Sequence, residues 1–167
     1  FNYPFPMAIQ KAEGAYMWDV DGNRYIDFLQ AGGPTVLGSN YAPVREKVME
    51  VINESGPVTG LFHEYELKLA ELVCRLMPNI EMLRMLGSGT ESVMGAIRAA
   101  RAHTGKKKII KVGGAYHGWS DSMVYGLHVP GTGRFESAGI PFGATANTQE
   151  FYPNDLGELK RKLIFNR

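Results

Sequence analysis

Three observations predict an α/β fold, with a mostly parallel sheet, flanking helices and an N-terminal β-hairpin belonging to a smaller domain. Residues 15–28 place Tyr16, Trp18 and Val20 at alternate positions before Asp21-Gly22-Asn23, and return through Tyr25 to Phe28. That is the pattern of a hairpin. Residues 82–113 run as apolar stretch, glycine turn, helical pattern and second apolar stretch, the order of a strand–helix–strand unit with a parallel pair. The 167 residues are 44% hydrophobic and 21% charged, a globular composition of about one domain's length.

Each element has its own signal. After the hairpin, the glycine-rich crossing 31–40 is restricted by Pro34. Pro43 opens a helix with Val44, Val48, Val51 and Ile52 on one face. A second helix is expected from His63 to Met77, stopped by Pro78. Strand 82–86, helix 90–104 and strand 108–113 follow, and a last helix starts near Asn154-Asp155 and reaches Leu163. Residues 126–149 are rich in Gly, Thr, Ser and Pro; a loop that long in a compact domain is usually functional. The expected division is 1–42, the hairpin segment and crossing, and 43–167, the first part of a large domain whose remainder is missing. A sheet cut at its second or third strand leaves an open apolar edge, so poor independent folding is expected.

Charge excludes more than it suggests. Eighteen basic and 17 acidic side chains nearly cancel, which gives no support to nucleic-acid or polybasic membrane binding. Lys106-Lys107-Lys108 reads as a solvated helix end after Gly105. Cys74, the only cysteine, falls in an apolar helical pattern and reads as a buried, inert thiol. His63, His103 and His128 form no metal-like cluster with Cys or acidic pairs, and Asp19, Asp21 and Asp27 read as turn formers. Met77, Met82, Met85 and Met94 read as fillers of core gaps. No stretch approaches the ~20 apolar residues of a membrane span, and no signal peptide is recognisable at Phe1, so the protein reads as cytoplasmic.

The chemistry concentrates in two turns. Gly87-Ser88-Gly89-Thr90-Glu91-Ser92 joins an expected strand to an expected helix. A helix start carries free N–H groups and partial positive charge, the natural seat of a phosphate. Gly87 and Gly89 allow close approach, while Ser88 and Thr90 add hydroxyls; Glu91, in the first helical turn, reads as compensating the dipole rather than as a catalytic acid. Gly113-Gly114-Ala115-Tyr116-His117-Gly118 follows the second strand. In parallel sheets ligands sit at the carboxyl ends of strands, so both turns are expected to converge at one sheet edge. Trp119 and Tyr125 are read equally as pocket lining or as packing.

With both turns in view the chain resembles a fold-type I pyridoxal-phosphate (PLP) enzyme of the class III aminotransferase family, nearest the branch of the glutamate-1-semialdehyde aminomutases. The resemblance rests on Asp19-Val20-Asp21-Gly22, Tyr25-Ile26-Asp27, Gly33-Pro34, Val36-Leu37-Gly38, Gly87 to Glu91, Ala96 to Arg101, Thr104-Gly105 and Tyr116-His117-Gly118, in the family's order. It implies that Ser88, Gly89 and Thr90 hold the cofactor phosphate and that Tyr116 lies against the pyridine ring, with His117 and Gly118 shaping that turn. It further implies a mobile loop over the site at 126–142, small-molecule amino donor and acceptor, and a homodimer with the 31–38 crossing near its interface.

The sequence departs from the branch at two places that face the substrate by resemblance. Gly32 stands where the aminomutases have tryptophan, and Gly113 where they have an acidic residue. Both departures favour an aminotransferase over an aminomutase. PLP chemistry also needs a Schiff-base lysine and an acid at the pyridine nitrogen. The family carries both downstream, the acid in an Asp-Glu pair; this sequence has no Asp-Glu dipeptide, and none of its nine lysines fits the catalytic role. No catalytic residue is therefore assigned here, and no metal. A phosphate-binding module without chemistry of its own is the reading from a different class.

Overall fold

The structure is a computed structural model, and it describes residues 7–55, 60–126, 139–141 and 143–166. The chain packs as two units, Phe1–Leu67 and Lys68–Arg167, with one helix running across the division.

The first unit is built on a three-stranded antiparallel sheet of β1 (Ile9–Glu13), β2 (Tyr16–Asp19) and β3 (Arg24–Ile26) in sequential order. The expected hairpin is β2–β3, with Met17 opposite Tyr25. Its turn is held by one side chain. The Asp19 carboxylate accepts from the N–H of Asp21 (3.0 Å) and of Asn23 (2.8 Å), from Asn23 Nδ2 (3.0 Å) and from the Tyr25 hydroxyl (2.7 Å). Those bonds, first from Asn23 and then Tyr25, hold the Asp19 carboxyl below its ordinary range. Gly22 takes φ +84° in the same turn. Beyond it, Gly14 and Ser39 exchange backbone bonds of 2.8 and 2.9 Å. Gly38 is required there, because a Cβ would stand 2.9 Å from the Gly14 backbone. Helix α1 (Ala42–Ser55) follows, one residue before the expected Pro43 start.

Helix α2 (Glu64–Leu76) matches the expected 63–77 segment. Cys74 is half-buried rather than buried, because no residue of α2 is fully covered; its thiol lies 3.7 Å from the Glu81 carbonyl. Met77, Met82 and Met94 are likewise 48%, 88% and 45% exposed, so they fill no core among the described residues.

The second unit corrects the expected strand order. Residues 82–86 form no strand. The run Met-Leu-Arg-Met-Leu has no β-branched or aromatic residue, and no ladder partner among the described residues. Helix α3 (Gly89–Thr104) and strand β4 (Ile109–Val112) form as expected. The parallel partner of β4 is β5 (Thr148–Phe151), which begins in the last two residues of the 126–149 stretch read as loop, with Lys111 opposite Glu150. Between them lies a short helix, α4 (Asp121–Val124), whose Met123 and Val124 are the buried apolar side chains among the described residues. The chain closes with α5 (Leu156–Phe165), capped by Asp155, whose carboxylate accepts from the Glu158 N–H at 2.8 Å. Of the expected loop 126–142, residues 127–138 and 142 lie outside the described residues, as does His128.

Candidate functional site

The site is assembled within the second unit from the start of α3 and the turn after β4. Ser88 is the N-cap of α3, extended at φ −156°, ψ 163°. Its Oγ accepts from the Glu91 N–H at 3.2 Å and donates to Glu91 Oε2 at 3.0 Å. Ser and Glu three residues apart have the spacing of a capping box. Here the Ser88 hydroxyl, rather than its backbone N–H, meets the Glu91 carboxylate, which places Glu91 in a structural role at the positive helix end. Its carboxylate also lies over Gly87, where a Cβ would meet Oε2 at 2.8 Å.

The other amides of the first turn are open. Among the described residues the N–H groups of Gly89 and Thr90 have no acceptor, and the space beside Gly89 is empty to 4 Å. Thr90 Oγ1 accepts from the Trp119 N–H at 3.1 Å, which leaves the Thr90 hydroxyl proton free to donate outward. Two backbone N–H groups without an acceptor among the described residues and one hydroxyl are thus gathered at a helix N-terminus. That donor set fits a phosphate.

The bond from Trp119 also ties the second turn to the first. Gly118, at φ +109°, passes so close that a Cβ would stand 3.2 Å from Thr90 Cα. The sequence expected these turns to converge, and they do. Within the second turn, His117 Nε2 lies 2.8 Å from the Val112 carbonyl. A carbonyl only accepts, so Nε2 carries a proton and donates it there. The neighbouring Tyr116 ring is 61% exposed, and Trp119 is 69% exposed. An exposed aromatic ring held beside open anion donors is suited to cover a flat, phosphate-bearing ligand.

The sequence missed what lies beneath this loop. Lys111 and Glu150, opposite each other on β4 and β5, are both 5% exposed. Lys111 Nζ donates to the carbonyls of Met123 (3.0 Å) and Tyr125. Burial holds the Lys111 ammonium below the ordinary lysine range, and the charge of Glu150 partly offsets this. Among the described residues the Glu150 carboxylate oxygens are buried without a hydrogen-bond partner, and they fill the space that a Cβ on Gly126 would need. No group of three or more His, Cys, Asp or Glu among the described residues stands close enough to hold a metal ion. No helix among them is long and apolar enough to cross a membrane.

Comparison with known proteins gives this geometry a family. Residues 2–127 match the model of the aminotransferase class-III family. Glutamate-1-semialdehyde 2,1-aminomutase 1 of Lachnoclostridium phytofermentans is 45% identical over 97% of the chain, which spans 38% of that protein's length. An omega-transaminase from Sphaerobacter thermophilus superposes with a TM-score of 0.88 at 28% identity, covering 99% of this chain and 39% of its own. A transaminase solved with PLP bound gives 0.82 at 33%, covering 96% and 39%. The chain belongs to the class III aminotransferase family, and its fold is that of the fold-type I PLP-dependent transferases.

Proposed function

We propose that the protein of which this chain is a part is a PLP-dependent class III aminotransferase, moving an amino group from an amino donor to a keto or aldehyde acceptor. The observation that carries this is the pair of turns joined by the Trp119-to-Thr90 bond, with the free amides of Gly89 and Thr90 beside Tyr116. When bound, PLP supplies the electron sink for chemistry at the amino-bearing carbon.

The residues here anchor and orient. Ser88, Gly89 and Thr90 hold the phosphate through the helix-end amides and hydroxyls. Tyr116 covers the ring and His117, locked by its bond to the Val112 carbonyl, fixes the turn that carries it. The Schiff-base lysine and the acid at the pyridine nitrogen lie outside this segment. We further propose a cytoplasmic homodimer, with 1–42 belonging to the smaller domain and 43–167 to the PLP-binding domain.

A second reading, a glutamate-1-semialdehyde aminomutase that shifts the amino group within one molecule, is favoured by the 45% identity to a protein of that name. The backbone at Gly32 favours the first reading. At φ +83° a tryptophan there is strained, which glycine is not. The decisive experiment uses the full-length protein loaded with PLP. Turnover requiring separate donor and acceptor is expected. Formation of 5-aminolevulinate from glutamate 1-semialdehyde alone selects the aminomutase instead, and absence of PLP binding overturns both.

A further inference from the structure

We propose that Lys111 is a positioning residue: its buried ammonium clamps the base of the loop that carries Tyr116 and His117, with Glu150 as its charge partner. The proposal rests on the cofactor reading above for what the loop holds, and on geometry for the clamp itself.

The loop from Gly113 to Gly126 leaves β4 and returns to its starting point, where the Gly114 N–H donates to the Gly126 carbonyl at 2.8 Å. Just below, Lys111 Nζ reaches the carbonyls of Met123 and Tyr125, at the end of α4. The last carbonyls of a helix lack intrahelical partners and carry partial negative charge. A helix as short as α4 cannot hold its own end by internal bonds, so the lysine does it from the neighbouring strand. The outgoing arm is fixed to β4 by the His117 bond to the Val112 carbonyl and to β5 by the Gly113 N–H bond to the Phe151 carbonyl (3.0 Å). Lys111 supplies the equivalent fixture for the returning arm.

The cost of burying that ammonium argues against a default packing choice. A lysine 5% exposed gives up its hydration, and an apolar side chain at the same strand position would avoid this. Glu150, opposite in register and equally buried, supplies compensating charge; its carboxylate fills the space that a Cβ on Gly126 would need. The clamp therefore gathers Met123, Tyr125 and Gly126 around two buried charges. Placement of the Tyr116 ring depends on both arms, and small misplacements of a ligand-bearing group are costly.

The test uses the full-length protein and PLP as the probe. Lys111→Met keeps length and apolar bulk while removing the charge. It is expected to weaken PLP binding about tenfold and to reduce the circular dichroism induced in the bound cofactor. Lys111→Arg, which returns a cation to the two carbonyls, is expected to recover most of both. Wild-type affinity and dichroism in a folded Lys111→Met protein overturn the proposal; so does a lowered melting temperature with the dichroism unchanged. Should Lys111→Met not fold, amide exchange decides. In PLP-free wild-type protein the Gly114 and 123–126 amides are expected to exchange slowly, and faster in Lys111→Gln, which removes the charge and shortens the reach to the two carbonyls. Fast exchange in the wild type, or no difference, overturns the clamp. Wild-type protein that fails to bind PLP removes the cofactor reading, while the exchange measurement still judges the clamp.

Discussion

At the scale of single residues, Ser88 has two separable duties. Its hydroxyl oxygen caps α3, and its O–H donates to the Glu91 carboxylate, so an arriving phosphate competes with that carboxylate for the hydroxyl's hydrogen bond. Ser88→Ala is expected to lose about 1 kcal/mol of stability, the usual cost of a missing N-cap, and to weaken PLP binding as well. Ser88→Asp separates the duties. Its carboxylate still caps the helix but stands against the Glu91 carboxylate, so the melting temperature is expected to fall no further than in Ser88→Ala, while its charge repels the phosphate and binding falls further. Unchanged PLP affinity in both variants, measured by titration against melting temperature, would reduce Ser88 to a cap. These residues were legible because glycine and hydroxyl side chains at a helix start have few other uses. Lys111 and Glu150 were not: polar residues in a strand read as its solvent face, and only the register of β4 against β5 turns them inward.

At the scale of elements, the hairpin is held by a charge rather than by its apolar face. Tyr16 and Ile26 are 40% and 56% exposed, whereas Asp19 is 7% exposed and accepts four hydrogen bonds. Its carboxyl sits below the ordinary range in the folded state. The folded hairpin therefore binds protons less readily than the unfolded chain. The stabilisation is complete above the ordinary aspartate value of about 3.9 and is lost as pH falls through the lower folded value. Acid is accordingly expected to open β2–β3 first, read as a change in Trp18 fluorescence. Asp19→Asn should abolish that acid step and weaken the hairpin at neutral pH; an acid step that persists in the variant would assign it elsewhere. The turn residues made this hairpin legible. Strand β5 was illegible for the opposite reason: Thr148 and Glu150 occupy its covered face, so its alternation runs against the apolar-in pattern that marks a half-buried strand.

At the scale of the whole molecule, the balance of burial is inverted for a folded domain. Among the described residues the buried apolar side chains are Met123 and Val124, while Asp19, Lys111, Thr148 and Glu150 are buried polar ones. Phe28, Val36, Leu61, Met82 and Phe165 are each at least 79% exposed. Helices α1, α2, α3 and α5 have no fully buried residue, so their apolar stripes contribute only part of the roughly 25 cal/mol per Å² that burial supplies. Secondary structure is thus specified locally, by caps and turns, ahead of any core. The 167 residues expressed alone are expected to show helical circular dichroism without a cooperative thermal transition, and to bind dyes that seek exposed apolar surface. The same residues within the full-length protein are expected to melt in one cooperative step with its remainder. A sharp calorimetric transition for residues 1–167 alone would show that these apolar faces find cover in each other. It would also give the phosphate-binding module, acting without downstream chemistry, a folded body of its own.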